Sequence, residues 1–276
     1  VSTSHTISLP VDALNPGQFF ACCGLLELAG RLWQDAEGCF AEDSFTIHAD
    51  MSLSDLLEAF RGCPVVDDQS SVGADRVGGE VAEDDEDRAG SIDLGDPVHL
   101  RLDWWSDKSI KPWAGSMDAR RIFAGMKSAI DASTNDPFND LRVVYDPAAV
   151  GSRARPKKRE PFYFDSRRGG SARSLDIGFA PDALDMLSAA CPAVEALCLV
   201  GLQRFRPMPT GSPRVHEYCT WRTPLPAPVA GAAACGVLPA VGAARYRFEN
   251  AFRTDQRKHK GFLPARLLPE IHGDTP

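Results

Sequence analysis

Apolar residues alternate at the start of the chain, where Ile7, Leu9 and Val11 in SHTISLPV predict a strand that stops around Pro10 and Asp12. The period then changes. Through ALNPGQFFACCGLLELAGRLWQD, Phe19, Cys22, Cys23, Leu26, Ala29 and Trp33 trace one helical face, with Asn15 placed as N-cap, Pro16 as first helical residue and Gly30 standing in for a larger side chain. Phe40, Phe45 and Ile47 restore strand character. MSLSDLLEAFRGCP then predicts a short helix capped by Ser52 or Ser54, with Leu53, Leu56, Leu57 and Phe60 inward, and ended by Gly62 and Pro64.

Residues 66–95 lack this periodicity. The stretch is rich in Asp, Glu, Gly and Ser and free of aromatic residues, which predicts a mobile, disordered acidic insertion unable to offset its ordering entropy by apolar burial. Beyond it, VHLRLDWW predicts a strand, MDARRIFAGMKSAID a helix through Ile122, Met126 and Ile130, and LRVVYD and PFYFD two further strands. PDALDMLSAACPAVEALCLVGL predicts a helix that Pro192 kinks or divides. QRFRPMPTGSPRVHEYCTWRTPLP predicts two strands around a Pro/Gly loop, whereas the small residues and prolines of PVAGAAACGVLPAVGAA favour neither helix nor strand. Strands interleaved with helices predict an α+β fold, as one domain or two closely packed subdomains, with no solenoid repeat.

Charge sharpens this reading. The chain has 276 residues and a formal charge of -8, but residues 64–97 hold eleven acidic and two basic residues, so the remainder is at +1. From Gly151 onward basic residues gather in three clusters. The first is Arg153, Arg155, Lys157, Lys158 and Arg159; the second is Arg167, Arg168 and Arg173, around Gly169 and Gly170 in a flexible turn. The third runs through Arg245, Arg247, Arg253, Arg257, Lys258 and Lys260. With Arg204 and Arg206 they are candidate contacts for a nucleic-acid backbone, and the interleaved Tyr163, Phe205 and Tyr246 are candidate stacking platforms. Most such aromatics belong to cores. The acidic insertion is read either as a solvated loop or as a polyanion that competes with nucleic acid for the cationic surface.

Enzymatic signatures are sparse. Six scattered histidines form no HxxxH, HExxH or HxH pattern, eight cysteines form no CxxC pair, and neither a phosphate-cradling GxxxxGK[ST] loop nor GxSxG occurs. The cysteines read as buried or partly buried free thiols, and no metal or cofactor is expected. Alternation along a strand would separate His216 from Glu217 in HEY. Asp103 and Asp107 in DWWSDK are the carboxylates left for an alternative, a small metal-dependent nuclease. No apolar run is long enough to cross a bilayer and the first twenty residues lack a secretory pattern, so a cytoplasmic location is expected.

Several phrases carry a resemblance. NPGQFFACCGLLELAGRLW with AEGCF, KPWAG, PFYFDSRRGG followed by DIGF, VGLQRFRP and FENAFRTDQRKHKGF resemble a CRISPR-associated effector-complex subunit of type I-U, also called type I-G, over most of the chain outside the acidic stretch. The resemblance implies a ferredoxin-like, RNA-recognition-like core. It also implies a subunit of an antiviral crRNA-guided surveillance complex, with crRNA, target DNA and other effector subunits as partners, while a separate helicase-nuclease cleaves. A part in reading the flanking duplex motif and a protein-protein adaptor role are further expectations. The chain is short for the large subunit of such complexes.

Overall fold

The computed structural model describes residues 5–66, 90–114, 117–147, 158–171, 189–238, 243–253, 257 and 259–269. Within them the protein is a mixed α+β structure with several antiparallel sheets and six α-helices. Strand β1 (His5–Pro10) leads into α1 (Pro16–Leu32), followed by β2 (Glu37–Phe40), β3 (Ser44–Ala49) and α2 (Leu53–Gly62). Asn15 accepts from Gly17 N–H and Pro16 opens α1, while Ser52, not Ser54, caps α2 in a reciprocal capping box with Asp55. β1 pairs with β3, and β3 with β2, all antiparallel, from Ile7 opposite Ile47 to Phe40 opposite Phe45. The sheet order is β1-β3-β2, extended beyond β2 by a two-residue strand at Leu225–Pro226.

Helix α1 departs from the expected single apolar face. Every residue from Pro16 to Ala29 is buried, because α1 lies between two sheets and against a second helix that is just as enclosed. The Phe19 ring is stacked between Phe40 of β2 and Tyr218 of β8 (Val215–Cys219), and Phe20 packs near Phe248 of β10 (Arg245–Phe252). The second helix is α5 (Pro192–Arg204); Pro192 is its first residue, where a missing N–H is harmless, so it starts the helix and does not kink it. A Cβ built on Gly24 would lie 2.1 Å from Leu197 O, and one on Gly201 2.0 Å from Phe20 O. The two backbones touch at this glycine pair. One apolar cluster runs from Ile7 to Ala265.

Other expectations are corrected. Ile92–Leu94, inside the stretch read as a disordered insertion, forms β5 between β4 (Val65–Val66) and β6 (Leu100–Leu102), because alternating Ile92 and Leu94 are buried; residues 67–89 lie outside the described residues. LRVVYD and PFYFD are not ladder strands: LRVVYD makes only isolated bridges, Arg142 to Ala190 and Tyr145 to Lys158, and in PFYFD Tyr163 O accepts from Phe262 N–H without a ladder. QRFRP is the end of α5 and its exit, and the first strand of that hairpin shrinks to β7 (Met208–Pro209). Ser166–Ser171 is a short helix, α4, where a flexible turn was expected, and Ala227–Ala234 is helix α6. Helix α3 (Ala119–Ala129) buries Ile122 and Met126 as predicted, and its Lys127 donates to Arg61 O and Cys63 O at the end of α2. All eight cysteines are unbonded thiols, six buried and two partly buried. Among the described residues no helix is long and apolar enough to cross a membrane.

Candidate nucleic-acid interface

The phrases NPG and FYFDSRR meet in three dimensions. Asn15 Nδ2 donates to Asp165 Oδ1 at 2.8 Å, and Asn15 Oδ1 accepts from both Gly17 N–H and Ser166 N–H. Glu195 of α5 accepts from the N–H groups of Phe164 and Asp165. Burial first, and the neighbouring Asp165 charge second, push the Glu195 carboxyl up to about 7 against those hydrogen bonds. Arg167 is tied into this network: Nε and Nη2 donate to the fully buried Asp165 carboxylate, Nη1 to Asn139 and Nη2 to Phe138 O. Its guanidinium supports the fold before it is offered to any ligand.

Most other predicted cations also have internal partners. Arg204 joins Arg31 on the buried Glu27, Arg159 pairs with Asp146, and Lys158 pairs with Glu160. Arg206 lies over the Trp104 ring and donates to Trp104 O. Arg153, Arg155, Lys157, Arg173 and Lys258 lie outside the described residues.

Two of the three predicted stacking platforms, Phe205 and Tyr163, are buried, and the third, Tyr246, is half-buried. Phe205 is fully buried, stacked 6.2 Å from Trp221 at 12°; Tyr246 turns inward and stacks on Tyr218 at 5.3 Å. Tyr163 is 5% exposed in left-handed backbone, its hydroxyl donates to Glu160, and its ring carries the Arg253 guanidinium at 3.4 Å and Arg168 at 5.3 Å. Each aromatic is drawn in because the ring is worth more buried than wet.

What the structure does bring together is the outer face of a second antiparallel sheet, ordered β11-β10-β8-β7, with β12 (Arg266–Leu267) also paired to β10 and β11 spanning Lys260–Phe262. Alternation along β10 sends Tyr246, Phe248 and Asn250 to the core side and Arg245 and Arg247 to the other. Arg247 sits opposite Glu217 of β8 and Arg266 of β12, so these three share that face. Glu217 Oε2 takes Nε of Arg245 at 2.6 Å, and Oε1 takes Nε of Arg247 at 2.7 Å. The two arginine side chains are 39% and 37% exposed while the Glu217 side chain between them is 3% exposed. Burial alone would raise the Glu217 pKa, but hydrogen bonds and attraction from Arg247 and Arg245 outweigh it and hold the carboxyl below its usual range.

At the β11 end of this face, Arg253 and Tyr163 cross over Gly261, where a Cβ would lie 3.1 Å from Arg253 Cδ. Arg257 is exposed in left-handed backbone. Lys260 points to the opposite side, donating to Lys108 O; burial, then the charges of Arg214 and Lys111, push its ammonium down to about 8. Arg266 was missed in the sequence because RLLPE shows no cluster; only its pairing with β10 makes it a neighbour of Arg247.

The nuclease carboxylates are engaged elsewhere: Asp103 accepts from Gln203 Nε2, and Asp107 accepts from Ser109. Among the described residues no group of three His, Cys, Asp or Glu side chains could hold a metal ion. His216 is buried beside Phe248 on the face opposite Glu217, and burial lowers its pKa. Comparison of the chain with protein-family models, with curated proteins and with solved structures finds no match.

Proposed function

We propose that this chain is a noncatalytic, cytoplasmic subunit of a crRNA-guided DNA surveillance complex, and that the outer face of the β8–β10 sheet meets the sugar-phosphate backbone of guide RNA or target DNA. The observation that carries the reading is the placement of Arg245, Arg247 and Arg266 side by side on one half-exposed sheet face, with Arg253 at its edge. Arginine presents several N–H donors in a planar fork and meets phosphate through charge-assisted bonds. With Phe205 and Tyr163 buried and Tyr246 turned to the core side of the sheet, away from the arginine face, the contacts that face favours are to backbone and not to stacked bases. The β1-α1-β2-β3-α2 opening, with sheet order β1-β3-β2, supports the ferredoxin-like expectation, since an RNA-recognition-like fold begins in this way. Its closing strand beside β1 is absent among the described residues; β4 pairs with β5 instead.

The test is equilibrium binding, by fluorescence anisotropy, of labelled single-stranded RNA, single-stranded DNA and duplex DNA over a salt series, with the protein alone and with its effector partners. The combined Arg245→Ala and Arg247→Ala variant should weaken binding across sequences and lower the salt slope by about two, one for each lost phosphate contact. Unaltered affinity and slope would remove this face from the interface. No binding by the wild-type chain, and no entry into a complex containing guide RNA, would end the proposal.

A further inference from the structure

Glu217 is out of place on a surface built to attract phosphate, since a carboxylate there repels the ligand and cancels one positive charge. Its geometry accounts for it. Each carboxylate oxygen receives Nε and Nη2 of one guanidinium, and among the described residues neither guanidinium bonds to anything else. The remaining N–H groups of both forks have no other partner among the described residues, and the side chains that carry them are more than a third exposed. Free arginines on a strand would sample many rotamers, and each would have to be ordered when a ligand bound.

We infer that Glu217 is a positioning residue: it fixes Arg245 and Arg247 as a pair, two residues apart on β10, for neighbouring phosphates of one single strand. This rests on the nucleic-acid reading above and deepens it. Two residues of antiparallel strand set the pair about 7 Å apart. The pair alone fits successive phosphates of either form; beyond it, an extended single strand can follow the row along the sheet, whereas a duplex strand winds away from it. The row also lies on a sheet face, a flat surface that accepts an extended strand more readily than a cylinder.

The inference and its plainest rival predict opposite signs. If Glu217 only neutralises charge, Glu217→Gln adds one net positive charge and must strengthen binding. If it positions the arginines, the same change weakens binding to single-stranded RNA about tenfold, because two long side chains must then be ordered on binding. Glu249 is the control: it lies two residues beyond Arg247 on β10 and stands 4.0 Å from Arg214, so it holds neither arginine. Glu249→Gln should leave affinity unchanged or raise it.

The experiment measures affinity for a fluorescein-labelled mixed-sequence single-stranded RNA and for its duplex, in wild type, Glu217→Gln, Glu217→Ala and Glu249→Gln, with circular dichroism to check each fold. Both Glu217 variants should lose single-strand affinity and single-strand preference. Repeating Glu217→Gln in the Arg245→Ala, Arg247→Ala background should produce no further loss; a merely structural role would weaken binding in both backgrounds. Equal or tighter binding by Glu217→Gln, or the same loss in both backgrounds, overturns the inference while leaving the binding face intact. A wild-type chain that binds neither probe, alone or with its partners, overturns the face and the inference together.

Discussion

Replacing Gly24 by alanine places one methyl group at the tightest point of the fold. The new Cβ would lie 2.1 Å from Leu197 O, against an ordinary contact of 3.4 Å or more, so α1 and α5 must part by about 1.3 Å at their crossing. The obstacle is backbone, which cannot swing aside as a side chain can. Alanine is the better helix former by about 1 kcal/mol, which acts in favour of the variant. Against it stand overpacking, at about 1–3 kcal/mol or more, and the loosening of contacts along two helices buried over most of their length. A net loss of about 2–4 kcal/mol follows, a large part of the roughly 5–15 kcal/mol that keeps a domain folded. Gly201→Ala should behave alike, its Cβ lying 2.0 Å from Phe20 O, and the double variant should lose less than the sum because one separation relieves both clashes. Gly30→Ala, in the same helix but with its nearest neighbour at 3.8 Å, should gain about 0.5–1 kcal/mol from helix propensity alone. Urea unfolding followed by circular dichroism measures all four. If Gly24→Ala is as stable as Gly30→Ala, the close helix contact is not a constraint and the reasoning is wrong.

Two further predictions concern the network at Asn15. Glu195 binds its proton more tightly in the folded state, near 7 against an ordinary 4.5, so its contribution is complete below about pH 4.5 and is lost as the pH rises through 7. At pH 8 this amounts to about 3 kcal/mol of lost stability, and Glu195→Gln should flatten the fall in melting temperature between pH 5 and 8; an identical pH dependence in both proteins would refute it. Arg167→Ala strips the buried Asp165 of its cation and should lower stability by about 2–3 kcal/mol, with less effect on nucleic-acid affinity than Arg247→Ala. Full stability with a selective loss of binding would reverse that assignment.

Local periodicity was enough to determine β1, α1, β3, α2 and α3, because short-range rules operate there: alternation in Ile7 and Leu9, a cap and a proline at Asn15 and Pro16, a capping box at Ser52 and Asp55. Charge pattern likewise marked the arginines of β10. What the sequence could not show was which face each residue would meet. Phe205 and Tyr163 read as stacking platforms because aromatic and basic residues alternate in the chain, yet burial claims an aromatic wherever a core is within reach. Arg167 and Arg204 read as candidate backbone contacts because their carboxylate partners, Asp165 and Glu27, are set by packing: Asp165 is anchored from Asn15, 150 positions away, and Glu27 lies 177 positions from Arg204. The short β5 was hidden inside an acidic stretch, since a three-residue strand has too few positions to show a period and is stabilised by the neighbours it pairs with. The proposed binding face is wholly tertiary. Arg245 and Arg247 are two residues apart in sequence, but Glu217 comes from β8 and Arg266 from β12, and only hydrogen-bonded register places a carboxylate between two guanidinium groups and a third cation beside them.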